Sequence, residues 1–157
     1  SFDSAMNRLE SYGWKETLNR FIDRYEIPML GICLGMQLLA ENSTEGNEKE
    51  GFGLIKGKIE KLEKVDSKEK IPHIGWNEVI QKRKSVIFND IPNNSDFYFI
   101  HSYHYNINKS DEILCKTPYC GKFVSGINRS NIYGVQFHPE KSGKNGLQLL
   151  KNFMNME

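Results

Sequence analysis

Three side chains in this sequence have the chemistry of a nucleophile, its base and an orienting acid: Cys33, His138 and Glu140. Cys33 stands in "GICLGMQLL", flanked by Gly31 and Gly35 at one-residue spacing. The preceding "EIPML" reads as a short buried strand opened by a proline, and Leu34 to Ala40 are helix formers without a β-branched side chain. A cysteine at such a strand-to-helix turn parallels the G-x-S-x-G elbow, whose glycines permit a tight turn that lifts the nucleophile to the C-terminal edge of a sheet. The start of a helix and a neighbouring histidine would both favour the thiolate. A structural cysteine beside a glycine-rich turn would show the same local pattern, so the partners of Cys33 must decide.

A cysteine nucleophile needs a base within hydrogen-bond reach, and the base needs an orienter. The histidines are His73, His101, His104 and His138. His138 lies in "YGVQFHPEKS", two residues before Glu140. In an extended segment both side chains leave on one face, and Pro139 between them disfavours helix at His138. His138 would then take the thiol proton, while Glu140 selects its tautomer and stabilises the imidazolium. A surface His-Pro-Glu with no nucleophile nearby is the plain alternative. Cys33 and His138 are far apart in the chain, so only a fold can join them.

The elements that must do so form one α/β domain. The 157 residues are 38% hydrophobic and 11% aromatic, enough for a packed core. Net charge is +1, and the lysine-rich "KGKIEKLEKVDSKEK" is interleaved with acids, which reads as a solvated surface and not a nucleic-acid patch. No apolar stretch approaches the length of a membrane span. Three cysteines without a C-x-x-C suit a reducing cytoplasm, with Cys115 and Cys120 read as core or strand-end thiols. The pattern from Ser4 to Tyr25 is helical and split at Gly13; the strand–Cys–helix unit follows, then a polar loop "ENSTEGNEKEG". Strands are expected at Leu54–Leu62, Trp76–Ile80, Phe97–Tyr105, Ile113–Lys116, Phe123–Asn128 and Ile132–Phe137, the last two joined by an "NRSN" hairpin turn. Gly146–Met156 reads as a closing amphipathic helix with Leu147, Leu150, Phe153 and Met154 on one side.

"GICLGMQLL" together with "YGVQFHPEKS" resembles the class I (triad) glutamine amidotransferases. "IPHIGWN" at Ile71–Asn77 and "KNGLQLLKNF" are most similar to the glutaminase subunits of imidazole glycerol phosphate synthases, enzymes of histidine biosynthesis. The resemblance runs along essentially the whole chain, and it implies an open mixed sheet flanked by helices with the nucleophile at an elbow. It implies that Cys33, His138 and Glu140 hydrolyse glutamine to glutamate and ammonia. Gln37 matches a glutamine that holds the substrate, and Glu45 an acid that receives its α-amino group. Ser102 and Tyr103 match positions whose backbone lies against the substrate, and the backbone N–H of Leu34 matches an oxyanion donor. The implied partner is a (β/α)8 barrel cyclase, bound as a heterodimer, that uses the ammonia to make imidazole glycerol phosphate and an aminoimidazole carboxamide ribotide. Pro72, His73, Trp76 and Asn77 are the expected contact, with Trp76 as anchor.

No cofactor, metal, nucleic acid or membrane is expected, and the remaining histidines read as structural or interfacial. In the resembled family further strands and a glycine-rich oxyanion loop precede the helix that "SFDSAMNRLE" matches, so residues 1–157 are expected to be an amidotransferase domain lacking that front segment. Other readings are a triad glutaminase serving a nucleotide-sugar or anthranilate pathway, a catalytically incomplete partner-binding module, and a cysteine peptidase. Only "PHIGWN" speaks against the first, and the "GMQ" and "FHPEKS" contexts against the last.

Overall fold

A computed structural model describes residues 1–65, 68–107 and 109–156, with the backbone alone at residue 23. Residues 66 and 67 of the lysine-rich run lie outside the described residues. Two helices open the chain: α1 (Phe2–Ser11) and α2 (Trp14–Tyr25), separated at Gly13, whose φ of 68° is left-handed and which a glycine adopts without a Cβ clash. Strand β1 (Met29–Ile32) runs into Cys33 and the short helix α3 (Leu34–Leu38). Then come β2 (Asn42–Ser43), β3 (Lys49–Glu50), β4 (Lys58–Lys61), β5 (His73–Gln81), β6 (Ser95–His101), β7 (Tyr103–Asn106), β8 (Ile113–Thr117), β9 (Phe123–Arg129) and β10 (Ile132–Val135). Helix α4 (Gly143–Met154) ends the fold.

The strands form one open mixed sheet in the order β3-β2-β4-β7-β9-β8-β5-β6, with β10 paired to β9 and β1 to β10. β1–β10 and β2–β4 pair parallel, the other pairs antiparallel. Side chains alternate across β10, as period-two geometry requires. Ile132 joins the core under the first three helices with Phe2, Met6, Met36 and Ile59, whereas Tyr133 and Val135 join Phe97, Phe137 and Leu149 beneath α4. Helices thus cover both faces, and the fold expected from the sequence is the one observed.

Three local expectations are corrected. The single strand expected over Phe97–Tyr105 is two, β6 and β7, interrupted at Ser102. The polar stretch after the elbow helix is not loop throughout, because it carries the two-residue strands β2 and β3. The closing helix starts earlier and buries a different face: Leu149 is buried while Leu147 and Met154 point outward. Its tightest contact is a glycine, Gly146, where a Cβ would lie 1.9 Å from the Pro139 carbonyl oxygen. The helix therefore packs backbone to backbone on the turn that carries Glu140.

Candidate active site

The parallel pairing of β1 with β10 solves the problem of distance along the chain. Ile32 lies opposite Val135, so both strands finish at the same end, and the residues just beyond them share one edge of the sheet. Cys33 follows Ile32, and Gln136, Phe137 and His138 follow Val135. The Cys33 N–H donates to the Val135 carbonyl at 2.8 Å, which ties the elbow to the neighbouring strand.

Cys33 has φ 51° and ψ −108°, outside the regions an L-residue prefers, at a cost of about 1–3 kcal/mol that the surrounding packing sustains. Of the two flanking glycines only Gly31 is sterically required. A Cβ there would meet the Gly35 carbonyl oxygen at 2.6 Å and the Met36 nitrogen at 2.8 Å, whereas a Cβ on Gly35 has nothing within 4 Å. The glycine therefore lets α3 sit directly on β1. Gly134 does the same from β10, where a Cβ would meet Met36 Cγ at 2.8 Å.

The thiol faces the Ile100 carbonyl at 3.8 Å and accepts from Gln136 Nε2 at 3.7 Å, with the Leu34 N–H turned toward it as well. Burial is the largest influence on its acidity and pushes it above the ordinary thiol value, opposed by those two donors. The expectation of a favoured thiolate is thus corrected for this state: α3 is a five-residue helix, and desolvation outweighs its N–H groups. Cys115 is buried and pushed up to about 12, while Cys120 is more open.

His138 Nδ1 lies 2.7 Å from Glu140 Oε1. A carboxylate only accepts, so Nδ1 carries the proton and, in the neutral ring, Nε2 keeps its lone pair. That Nε2 is buried and has no hydrogen-bond partner, which is the form a general base requires. The backbone route differs from the expected extended one. His138 is extended (φ −97°, ψ 96°), but Pro139–Lys141 forms a 3₁₀ turn that folds Glu140 back toward the imidazole. Ser142, buried and not singled out from sequence, holds this turn. Its hydroxyl donates to the His138 carbonyl at 2.6 Å and accepts from the Tyr98 N–H at 2.9 Å, and His138 N–H donates to the Tyr98 carbonyl.

Gln37 is buried, and its Nε2 donates to the Tyr103 carbonyl at 3.0 Å and to Gln136 Oε1 at 3.1 Å. Gln136, which contacts both Gln37 and the Cys33 thiol, is a second residue of the candidate site that sequence reasoning passed over. Its signal was available: in "VQFHPE" it precedes His138 by two, the spacing of one strand face. Glu45 Oε2 accepts the Phe2 N–H at 2.8 Å at the start of α1. The Ser102 carbonyl accepts the Leu62 N–H. The "PHIGWN" segment divides between surface and interior. Trp76 is 57% exposed and Pro72 is exposed, but His73 is only 2% exposed, so it underlies the surface and does not form it. Asn77 is half-buried and donates to the Pro118 carbonyl. His73 and His101 are 3.1 Å apart (Nδ1 to Nε2), and burial pushes them down to about 4 and about 3, so both are neutral near pH 7. His104 is partly buried on β7 against Phe123, and burial lowers it too. Among the described residues no group of three or more His, Cys, Asp or Glu could hold a metal ion, and no helix is long and apolar enough to cross a membrane.

Comparison with known proteins bears on the family and the fold. The family model "Glutamine amidotransferase class-I" matches residues 7–156. The imidazole glycerol phosphate synthase subunit HisH of Leptospira borgpetersenii is 42% identical over 158 residues, covering 99% of this chain and 77% of that protein. Its counterpart in Methanocaldococcus jannaschii is 47% identical over 156 residues, with 99% and 76% covered. Among solved structures, the crystal structure of a glutamine amidotransferase aligns with a TM-score of 0.66 at 13% identity, covering 93% of this chain and 71% of that one. A glutamine amidotransferase from Thermotoga maritima aligns with a TM-score of 0.59 at 20% identity, with 94% and 56% covered. At such identities the structural likeness speaks for the fold alone.

Proposed function

Since the chain belongs to the class-I glutamine amidotransferases, we propose that it is the glutaminase subunit of an imidazole glycerol phosphate synthase, with Cys33, His138 and Glu140 as its triad. The observation that carries this is the β1–β10 register, which brings Cys33 to the same sheet edge as a histidine already held in the base tautomer by Glu140. Turned from Ile100 toward His138, the thiol gives its proton to Nε2, and the thiolate attacks the side-chain amide carbon of glutamine. The Leu34 N–H faces the developing oxyanion. His138 then protonates the leaving amine; ammonia departs and a γ-glutamyl thioester remains on Cys33. Water, deprotonated by His138, attacks that thioester, releasing glutamate and regenerating the thiol. Gln37, Glu45, Ser102 and Tyr103 form the glutamine pocket in this reading.

The ammonia passes to a barrel cyclase that makes imidazole glycerol phosphate and the aminoimidazole carboxamide ribotide. The β5–β6 ribbon supports a docking face beside the nucleophile. Ile74 pairs with Ile100 and Trp76 with Tyr98 on one face, and Ile74, Trp76 and Ile100 are each more than two-fifths exposed. Ile100 is also the residue whose carbonyl faces the Cys33 thiol. Partner contact on this ribbon therefore bears directly on the nucleophile. The chain alone should hydrolyse glutamine slowly, and the cyclase with its ligand should accelerate it. Trp76→Ala should weaken the complex and remove much of that acceleration. Steady-state glutamate release, with and without the cyclase, tests this. Equal rates in both states would refute the coupling and favour an independent glutaminase.

A further inference from the structure

Beneath the exposed β5–β6 ribbon two histidines are buried side by side, and nothing in the triad chemistry uses them. With both rings neutral, their hydrogen bonds select one tautomer for each. His101 Nδ1 lies 2.8 Å from the Tyr103 carbonyl, an obligate acceptor, so Nδ1 is protonated and, in the neutral ring, Nε2 accepts. The group facing that Nε2 at 3.1 Å is His73 Nδ1, which must therefore donate. His73 Nε2 is left as an acceptor, and Asn77 Nδ2 faces it at 3.4 Å. The Asn77 amide cannot be turned round, because the same nitrogen donates to the Pro118 carbonyl and its oxygen accepts the Glu78 N–H. Every donor along Asn77, His73, His101 and Tyr103 thus points the same way.

The chain ends on a carbonyl that matters. The Tyr103 oxygen also accepts from Gln37 Nε2, whose second hydrogen goes to Gln136 Oε1, and Gln136 Nε2 donates to the Cys33 thiol. His73 is held flat between Tyr119 and Phe99, with ring centroids 3.8 and 4.8 Å away, so its ring plane is set independently of the hydrogen bonds. We propose that His73 and His101 are positioning residues for the glutaminase site. Locked as two Nδ1–H tautomers, they tie Asn77 in the partner-facing ribbon to the Tyr103 carbonyl, on which Gln37 hangs in the glutamine pocket. This rests on the glutaminase reading above. It adds a role for two buried rings that touch neither the thiol nor the exposed surface.

Two measurements on the chain in complex with its cyclase test it. In ¹⁵N-resolved imidazole spectra of the wild type, His73 and His101 should both show the Nδ1–H tautomer and neither should titrate between about pH 5 and 8, the range over which an unperturbed histidine changes charge. This needs no variant to fold. His73→Phe keeps the ring between Tyr119 and Phe99 but removes both hydrogen bonds. It should raise KM for glutamine about tenfold, leave kcat within about threefold, and leave synthesis from added ammonium unchanged, since loosened positioning of this kind costs about ten- to a hundred-fold. His73→Asn, which restores a donor near Nδ1, should recover part of the loss. An Nε2–H tautomer at either ring, or an unchanged glutamine KM in His73→Phe, overturns the relay while Cys33-dependent hydrolysis still stands. Loss of Cys33 dependence in the wild-type chain would instead overturn the glutaminase reading, and the positioning role with it.

Discussion

Replacing Cys33 by alanine is expected to abolish glutamine-dependent synthesis, by at least about 10³-fold, while synthesis from added ammonium salts in the assembled enzyme stays within about twofold of wild type. The asymmetry follows from where the chemistry sits. The thioester forms only on the Cys33 sulfur, whereas ammonia reacts at the partner's site and has no need of the thiol. The substitution also removes little from the fold. The sulfur's hydrogen bonds are long, 3.8 Å to Ile100 and 3.7 Å from Gln136, with the Leu34 N–H turned toward it as well, and none of them supports a core element. The elbow's tie to Val135 runs through the backbone, so the variant keeps it. Product assays with each nitrogen source decide the matter. Loss of both activities in a folded complex would make Cys33 structural. By the same logic Glu140→Gln should cost less than Cys33→Ala, because nucleophile and base remain in place.

The second large effect belongs to Gly31. Gly31→Ala puts a methyl group 2.6 Å from the Gly35 carbonyl oxygen, 2.7 Å from its carbon and 2.8 Å from the Met36 nitrogen, all of them backbone. None of these can swing aside, so α3 must lift from β1. The expected cost is roughly 1–3 kcal/mol of stability, as for overpacking a tight core contact. Activity suffers more, because a shift of about 1 Å in the elbow re-aims both the thiol and the Leu34 N–H and can remove about 10²-fold. Gly35→Ala is the control. Its Cβ meets nothing within 4 Å, and alanine favours a helix over glycine by about 0.5–1 kcal/mol, so its melting temperature should equal or exceed that of wild type. Thermal unfolding of the two variants side by side separates the glycine the elbow needs from the one it merely carries. Equal destabilisation by both would show that the pairing of α3 with β1 is not as tight as described.

This contrast shows what a sequence can reveal of such a site. The symmetric spacing of Gly31 and Gly35 about Cys33 marks an elbow, but spacing cannot tell which glycine faces a neighbouring backbone. The answer depends on how closely α3 settles on β1, a tertiary quantity. The nearness of His138 to Glu140 was legible because two residues carry it. The nearness of Cys33 to His138 was not, since it rests on a parallel pairing of two four-residue strands distant in the chain. Ser142 hides for another reason: it acts through a side-chain hydrogen bond with Tyr98, remote in sequence, and such bonds leave no periodic trace. The same holds for His73 and His101, which face each other across an antiparallel pair whose register no local pattern fixes. At α4 the hydrophobic stripe misleads. Gly146 marks the closest approach, yet a glycine adds nothing to an apolar pattern, so the stripe turns Leu147 and Met154 inward although they face solvent.

The central claim is that Cys33, served by His138, carries the atom on which glutamine is opened. Labelling with an electrophilic chloroketone analogue of glutamine, followed by peptide mapping of the complex, tests it most directly. The expected result is a single adduct on Cys33 that forms faster as pH rises toward the raised thiol value, is blocked by glutamine, and forms much more slowly in His138→Asn. An adduct on Cys120 or Cys115 in preference, or labelling of Cys33 that neither glutamine nor the loss of His138 affects, would contradict it.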